Sequence, residues 1–221
     1  MAKLVRRAES AGCPVLVLTV DLPVGRNTET MERWKRTDKR DCSACHPSNP
    51  GASFRRKPMF DGINMTDVGV FNAALTWDSV RRLRDSMRMK LVLKGIVTRE
   101  DAQLCHNCGV DGIIVSNHGG RADETGRSTI ECLPEVVSGA GEKISVLVDG
   151  GIRRGTDILK ALALGARAVC IGRPYAWGLA AFGQEGVEKV LDLLRAELEL
   201  VMRQCGTRRI AEIGRAVIST R

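Results

Sequence analysis

Short apolar segments alternate along the chain with longer amphipathic ones. Each short segment is a nearly continuous run of Val, Ile and Leu, which is typical of parallel strands buried on both faces. The predicted strands are Val15–Val20, Leu91–Leu93, Gly112–Ser116, Ile144–Val148 and Ala168–Ile171. The amphipathic segments predict helices at Thr76–Met87, Thr98–Cys108, Ile130–Ala140, Thr156–Leu164 and Gln184–Cys205. This alternation predicts βα units with a parallel sheet, and therefore an α/β fold.

The segment 22–75 interrupts the alternation after the first predicted strand. It is polar, begins with a charge-rich stretch and is punctuated by Pro and Gly. Connections of that length without secondary structure are usually active-site loops or insertions. We therefore expect a long active-site loop here.

Polar or glycine-rich sequence follows each predicted strand. Asp21, Lys94, His118, Asp149 and Gly172–Arg173 come in this order along the chain. Functional side chains gather at the carboxyl ends of strands in barrels and doubly wound sheets. We expect these five positions to converge on one face of a curved parallel sheet.

The stretch DGGIRRG, which begins at Asp149, opens a predicted helix, as does Gly172-Arg173-Pro174. Glycines allow backbone N–H groups to approach a phosphate, the helix N-terminus favours its charge, and arginine adds a fork of donors. Either stretch alone could simply form a turn between a strand and a helix. Two such stretches in succession, after the last two predicted strands, favour a phosphate site. The predicted site consists of Asp149, Gly150, Gly151, Ile152, Arg153, Gly172 and Arg173.

His118 lies in the sequence SNHGGR, three residues before Arg121. A histidine base beside an arginine that grips a carboxylate suits proton removal from a small anionic acid. Lys94 would place a cation where negative charge develops on a cofactor. Taken alone, His118 could instead be a structural histidine, and Lys94 could be a solvated lysine at a strand end.

Five stretches together resemble the FMN-dependent α-hydroxy-acid dehydrogenase family, which includes glycolate oxidase, lactate oxidase, and L-lactate and mandelate dehydrogenases. They read LVLTVDLP, LVLKGIVTREDA, GIIVSNHGGRADE, VLVDGGIRRGTDILKALALGA and IGRPYAWGLA. The resemblance implies a (β/α)₈ TIM barrel, FMN as cofactor and oxidation of a small L-2-hydroxy acid to the 2-oxo acid.

The resemblance also implies individual roles. His118 would be the base oriented by Asp21, and Lys94 would contact the flavin. Arg121 would bind the substrate carboxylate, with Arg26 as a second arginine in a loop that is one residue shorter than the usual pattern. The cofactor-binding residues implied are Thr19, Lys94, Ser116, Asp149, Gly150, Gly151, Ile152, Arg153, Gly172 and Arg173.

The resemblance covers only the C-terminal part of the family domain, from the helix before strand four onward. We therefore expect residues 1–221 to form a truncated barrel of about five parallel strands. Both tyrosines that the family has in its substrate pocket are missing from this chain. We expect either a homo-oligomer or completion by an N-terminal half-barrel. Such a chain could be an oxidoreductase, or an FMN- or phosphate-binding fragment that is catalytically weak or inactive. The electron acceptor, whether oxygen, quinone or a cytochrome, stays open.

The composition of the chain argues against some classes of binding partner. The net charge is +8, but aromatic residues make up only 4% of the chain, which argues against nucleic-acid binding by base stacking. No apolar run approaches the length of a membrane helix, and the first residues do not form a secretory signal. A cytoplasmic location is the expectation.

The eight cysteines raise further alternatives. Cys42-x-x-Cys45-His46 matches a haem-attachment pattern, and pooled with Cys105 and Cys108 it could bind zinc. We expect free thiols and no metal site, because the two clusters should lie far apart. The remaining cysteines occur singly in apolar surroundings and are expected to fill the core: Cys13, Cys132, Cys170 and Cys205.

Two further functions remain as alternatives. An IMP-dehydrogenase-like barrel would need a catalytic cysteine in a glycine-rich loop at a strand end, and none of the eight has that position. An electron-carrier module would use the haem-attachment pattern.

Overall fold

A computed structural model describes residues 2–24, 29–41, 57–64, 72–122 and 125–219. Within these ranges five strands form one parallel sheet in the order β1-β2-β3-β4-β5. The strands are β1 Val15–Thr19, β2 Lys90–Lys94, β3 Gly112–Val115, β4 Ser145–Val148 and β5 Ala168–Val169. The predicted α/β class and the number of strands are confirmed.

Helices connect the strands and pack against the sheet. They are α1 Ala2–Ser10, α2 Glu29–Thr37, α3 Trp77–Asp85, α4 Arg99–Asn107, α5 Thr129–Ala140, α6 Gly155–Ala163 and α7 Arg173–Gln204. Threonines begin α3 and α4, since the Thr76 and Thr98 hydroxyls accept from the backbone N–H groups of Ser79 and Asp101. Short 3₁₀ helices span Pro58–Phe60, Ile210–Glu212 and Arg215–Val217.

The core lies between the sheet and its helices. Leu91, Leu93, Ile113, Val115 and Val148 are completely buried there. Burial of each such side chain stabilises the fold by roughly 1.5–3 kcal/mol. This core fixes the positions of the middle strands, and the predicted site residues follow their carboxyl ends.

The segment 22–75 contains a helix that the sequence prediction missed. Helix α2 has glutamates in its first turn and basic residues in its last, and Lys35 pairs with Glu32 at 2.6 Å. These charges complement the helix dipole, so local interactions favour α2 although none of its residues is buried.

Helix α7 begins earlier than the amphipathic segment predicted from Gln184. It starts at Arg173 and is interrupted at Phe182 and Gly183, where Gly183 has φ of 62°. The predicted helix is therefore only the second half of α7. Gly178 and Gly186 allow the two halves to pack closely, because a Cβ on Gly178 would lie 2.5 Å from the Gly186 carbonyl oxygen.

The first strand leaves part of its surface uncovered. Val15 and Val17 on β1 are 41% and 48% exposed, although apolar strand residues normally pack inside a sheet protein. Among the described strands, β1 pairs only with β2, and β5 pairs only with β4. The sheet is therefore open at both edges within the described residues.

The cysteines divide into buried and exposed thiols. Cys105, Cys108 and Cys132 are buried, and burial raises the pKa of the Cys105 thiol to about 12. Cys13 and Cys205 are exposed, so the expectation that they fill the core is wrong. Both lie in connections that follow a helix, at the surface of the protein.

Candidate active site

His118 and Asp21 form a close pair at the carboxyl ends of β3 and β1. The His118 Nδ1 lies 2.8 Å from Asp21 Oδ2 and 3.0 Å from Oδ1. Gly95 allows this approach, because a Cβ at that position would lie 2.5 Å from the Asp21 Cβ. The pair joins residues that are 97 positions apart in sequence.

The loop that carries His118 has an unusual backbone conformation. His118 has φ of 57°, the only positive φ at a non-glycine position in the described residues, and Gly119 and Gly120 follow at 71° and 78°. Asn117 organises this turn: its carbonyl accepts from three following N–H groups, and its Oδ1 accepts from the Gly120 N–H at 2.9 Å. The sequence analysis missed the role of Asn117. Its position after a strand and shortly before two glycines could have indicated that it forms a turn.

Lys94 lies beside this loop and is held by two neighbours. Its Nζ donates to the Ser116 Oγ at 2.6 Å and pairs with Asp149 Oδ2 at 2.9 Å. The other carboxylate oxygen of Asp149 is buried and has no hydrogen-bond partner among the described residues. Ser116 is fully buried, and its hydroxyl also accepts from the His118 N–H at 3.2 Å.

Two glycines give the Asp149 loop its sharp turn. Gly150 and Gly151 have φ of 94° and 76°, conformations that L side chains rarely adopt. The buried Thr129 hydroxyl donates to the Asp149 carbonyl, a support that the sequence did not reveal. The loop therefore turns sharply while staying anchored to α5.

Each of the three arginines around this loop contacts a different part of the protein. Arg153 lies over the Trp177 ring, with its Cζ 5.5 Å from the ring centroid. Arg154 points to α7 instead, where Glu197 accepts from its Nε at 3.0 Å. Arg173 donates to the Gly119 carbonyl at 3.1 Å, which links the end of β5 to the histidine loop.

One cavity of about 370 Å³ brings most of these residues together. Its size falls within the range of roughly 300–1,000 Å³ that is usual for small-molecule sites. The lining residues are Lys94, His118, Gly119, Arg121, Asp149, Gly150, Gly151, Ile152, Arg153, Cys170, Ile171, Gly172, Arg173 and Pro174. Burial is the main factor that raises the pKa of the Cys170 thiol, and the neighbouring Asp149 carboxylate raises it further.

The remaining predicted residues occupy other positions. Asp21 lies behind His118 and Ser116 lies beneath Lys94, while Thr19 ends β1 with an exposed side chain. Arg26, Cys42, Cys45 and His46 lie outside the described residues. Within the described part, no three or more His, Cys, Asp or Glu residues are grouped to hold a metal ion.

Comparison with known proteins decides the family. The FMN-dependent dehydrogenase family matches residues 1–220 of this chain. The chain belongs to that family. FMN is therefore the cofactor that its membership indicates.

The chain is similar to a 2-hydroxyacid oxidase of Dictyostelium discoideum, with 42% identity over 98% of this chain and 55% of that protein. Among solved structures, it resembles a soluble mutant of the membrane-associated (S)-mandelate dehydrogenase from Pseudomonas putida, with a TM-score of 0.84 and 34% identity. That match covers 100% of this chain and 61% of the dehydrogenase. A mandelate oxidase mutant with a monooxide FMN adduct matches with a TM-score of 0.73 and 38% identity over 97% of this chain and 57% of the oxidase.

Two consequences follow from these matches. The described sheet belongs to the barrel fold of FMN-dependent oxidases and dehydrogenases, as predicted. The chain spans only a little more than half the length of these relatives. That it corresponds to their C-terminal part stays a prediction.

The cavity fits FMN chemically. Its glycine-rich turns and the guanidinium groups of Arg153 and Arg173 suit a phosphate. The buried Asp149 oxygen offers an acceptor for a hydroxyl group, such as those of a ribityl chain. Lys94 adds a cation to the lining of the same cavity.

Proposed function

We propose that this chain carries the proton-transfer, carboxylate-binding and phosphate-binding residues of an FMN-dependent enzyme that oxidises a small L-2-hydroxy acid to the 2-oxo acid. The observation that carries the proposal is the position of the His118–Asp21 pair beside the two glycine-arginine turns of one cavity. The similar proteins named above act on or bind compounds of this class.

His118 would accept the proton that the substrate loses. A carboxylate only accepts hydrogen bonds, so the contact with Asp21 places the ring hydrogen on Nδ1. The Nε2 of the neutral ring then carries the lone pair needed for a base. Asp21 also stabilises the imidazolium that forms when the proton is taken.

Arg121 would bind the substrate carboxylate. Its Nε donates to the His118 carbonyl at 2.8 Å, which orients the guanidinium beside the base. The terminal nitrogens of a guanidinium form the fork that recognises a carboxylate with two hydrogen bonds. Arg26 is the second arginine that we propose for this task.

FMN, when bound, supplies the acceptor for the two electrons that leave the substrate along with its protons. Lys94 would stabilise negative charge at the cofactor, and its bonds to Ser116 and Asp149 hold it in position. Arg153, Arg173 and the N–H groups of the glycine turns would hold the phosphate. Thr19, Gly150, Gly151, Ile152 and Gly172 complete the proposed cofactor site.

The test is anaerobic reduction of the FMN-loaded chain by L-lactate, glycolate and L-mandelate, followed as loss of flavin absorbance. The wild-type chain should be reduced by at least one of these acids, whereas His118→Gln should bind FMN equally well and be reduced more slowly by about 10²- to 10⁴-fold. Equal reduction rates for the two chains would disprove the role of His118. Absence of FMN binding would disprove the cofactor site.

A second candidate function is an FMN- or phosphate-binding chain that is catalytically weak or inactive by itself. The open edges of the sheet favour it, because within the described residues β1 and β5 each pair with one strand only and apolar residues of β1 are exposed. We propose that a homo-oligomer or an N-terminal half-barrel covers these edges. The electron acceptor is not assigned.

The location in the cell stays a prediction. No helix in the described ranges is long and apolar enough to cross a membrane. A cytoplasmic location is our proposal for this chain, although the Pseudomonas putida relative is membrane-associated.

A further inference from the structure

We infer that Trp177 is a positioning residue that holds the Arg153 guanidinium for the cofactor phosphate. The inference rests on the proposed function, which assigns Arg153 to that phosphate. It concerns a residue on α7 that the strand-end pattern did not single out.

The two adjacent arginines of the Asp149 loop are fixed in different ways. Glu197 accepts from the Arg154 Nε at 3.0 Å and lies 2.7 Å from its terminal nitrogen, which draws this side chain toward α7. The backbone N–H groups of Arg153 and Arg154 both donate to Asp157 Oδ2, so the turn itself is fixed. The turn alone does not fix the exposed side chain of Arg153.

Trp177 supplies that restriction. The Arg153 Cζ lies 5.5 Å from the centroid of its ring, within the range of a cation–π contact. Trp177 lies on the first turns of α7, three residues after Pro174, which lines the cavity together with Gly172 and Arg173. The ring is therefore carried by the same element as the second half of the phosphate site.

The contact is compatible with phosphate binding. A guanidinium uses its face against an aromatic ring, whereas its N–H donors lie in its own plane. The donors can therefore bind phosphate oxygens while the face rests on Trp177. An ordered arginine loses less conformational entropy on binding than a mobile one, so the contact should strengthen phosphate binding.

The experiment compares FMN with riboflavin, which lacks the phosphate, in flavin-fluorescence titrations of the full chain. Trp177→Leu keeps an apolar side chain without the π face, and Trp177→Phe restores a ring. Trp177→Leu should weaken FMN binding by about 2- to 5-fold and leave riboflavin binding unchanged, while Trp177→Phe should retain most of the affinity. Leu179→Ala removes another exposed apolar side chain of α7 and should change neither affinity.

A double-mutant cycle with Arg153→Ala separates positioning from general support of the helix. The Trp177→Leu effect should vanish in the Arg153→Ala background, because nothing remains to be positioned. Arg154→Ala, the adjacent arginine paired with Glu197, should leave the Trp177→Leu effect intact. Equal losses for FMN and riboflavin, or full additivity with Arg153→Ala, would overturn the inference. Wild-type binding of FMN no tighter than riboflavin would instead overturn the phosphate assignment in the proposed function.

Discussion

His118 has a backbone conformation that a non-glycine residue rarely adopts, and its contacts account for it. The Ser116 hydroxyl accepts from its N–H, and Asp21 accepts from its ring. A left-handed conformation persists only where the surroundings fix it, and such positions cluster at functional sites. The family resemblance paired Asp21 with His118 and named Ser116, but it did not indicate the left-handed conformation of His118.

At this scale we predict the effect of Asp21→Asn. An amide can donate to Nδ1 as well as accept from it, so the ring hydrogen could move to Nε2 and the base would be lost. Flavin reduction by the 2-hydroxy acid should slow by about 10²- to 10⁴-fold. Stopped-flow absorbance measures the rate.

The FMN affinity of Asp21→Asn is the control. It should equal that of the wild type, because Asp21 lies behind His118 and is not among the residues lining the cavity. An unchanged reduction rate would show that Asp21 does not orient the base.

The junction of α6 and α7 shows how one element positions another. Gly155 begins α6, and a Cβ there would lie 2.2 Å from the backbone nitrogen of Leu198 on α7. Glu197 accepts from the Gly155 N–H at 2.8 Å, and this bond, followed by the one with Arg154, lowers the pKa of its carboxyl. The lowered pKa means that the contact stabilises the fold at neutral pH and loses this effect as acid protonates Glu197.

At the scale of elements we predict that Gly155→Ala separates α6 from α7. The added methyl group overpacks backbone that cannot move aside cheaply, so the free energy of unfolding should fall by roughly 1–3 kcal/mol. Urea denaturation measures the change. Gly214→Ala is the matched control, since no atom lies within 4 Å of its added Cβ.

The same variant should also displace the Asp149 loop, which carries Arg153. Because α6 begins directly after Arg153 and Arg154, a displaced α6 should also weaken FMN binding in Gly155→Ala. A variant as stable as Gly214→Ala would show that the junction adapts without cost.

At the scale of the whole molecule, the main feature of the described residues is a sheet that is open at both edges. Edges of a sheet with exposed apolar residues tend to pair with another chain. A flavin ring held only at its phosphate end would also be poorly oriented, and a displacement of about 1 Å can cost about 10²-fold in rate.

We therefore predict that the isolated 221-residue chain self-associates and that a 2-hydroxy acid reduces its bound FMN only slowly. Size-exclusion chromatography with light scattering should show oligomers, and replacing Val15 and Val17 together by lysine should shift them toward monomer. Leu200→Lys, at an exposed position on α7, should not do so. Co-expression with the portion of the Dictyostelium discoideum relative that this chain does not cover should accelerate flavin reduction. A monomer that is reduced rapidly would contradict the prediction.

The order of strands and helices was readable from the sequence, because continuous apolar runs and amphipathic periods reflect burial that each segment experiences locally. The same reasoning located Lys94, His118, Asp149 and Arg173, since parallel strands bring their carboxyl ends to one edge. Helix α2 escaped it, because charge pairs rather than a buried face support that helix.

The tertiary structure decided the contacts through which these residues meet. The sheet register brings Asp21 to His118 across 97 positions, and helix packing sends Arg154 to Glu197 while Arg153 rests on Trp177. The position of two adjacent arginines in the sequence does not show where their side chains point. In the folded protein the two side chains point in different directions, because each contacts a different residue of α7. The sequence thus determined which types of side chain follow the strand ends, and the packing of helices on the sheet determined the direction in which each of them points.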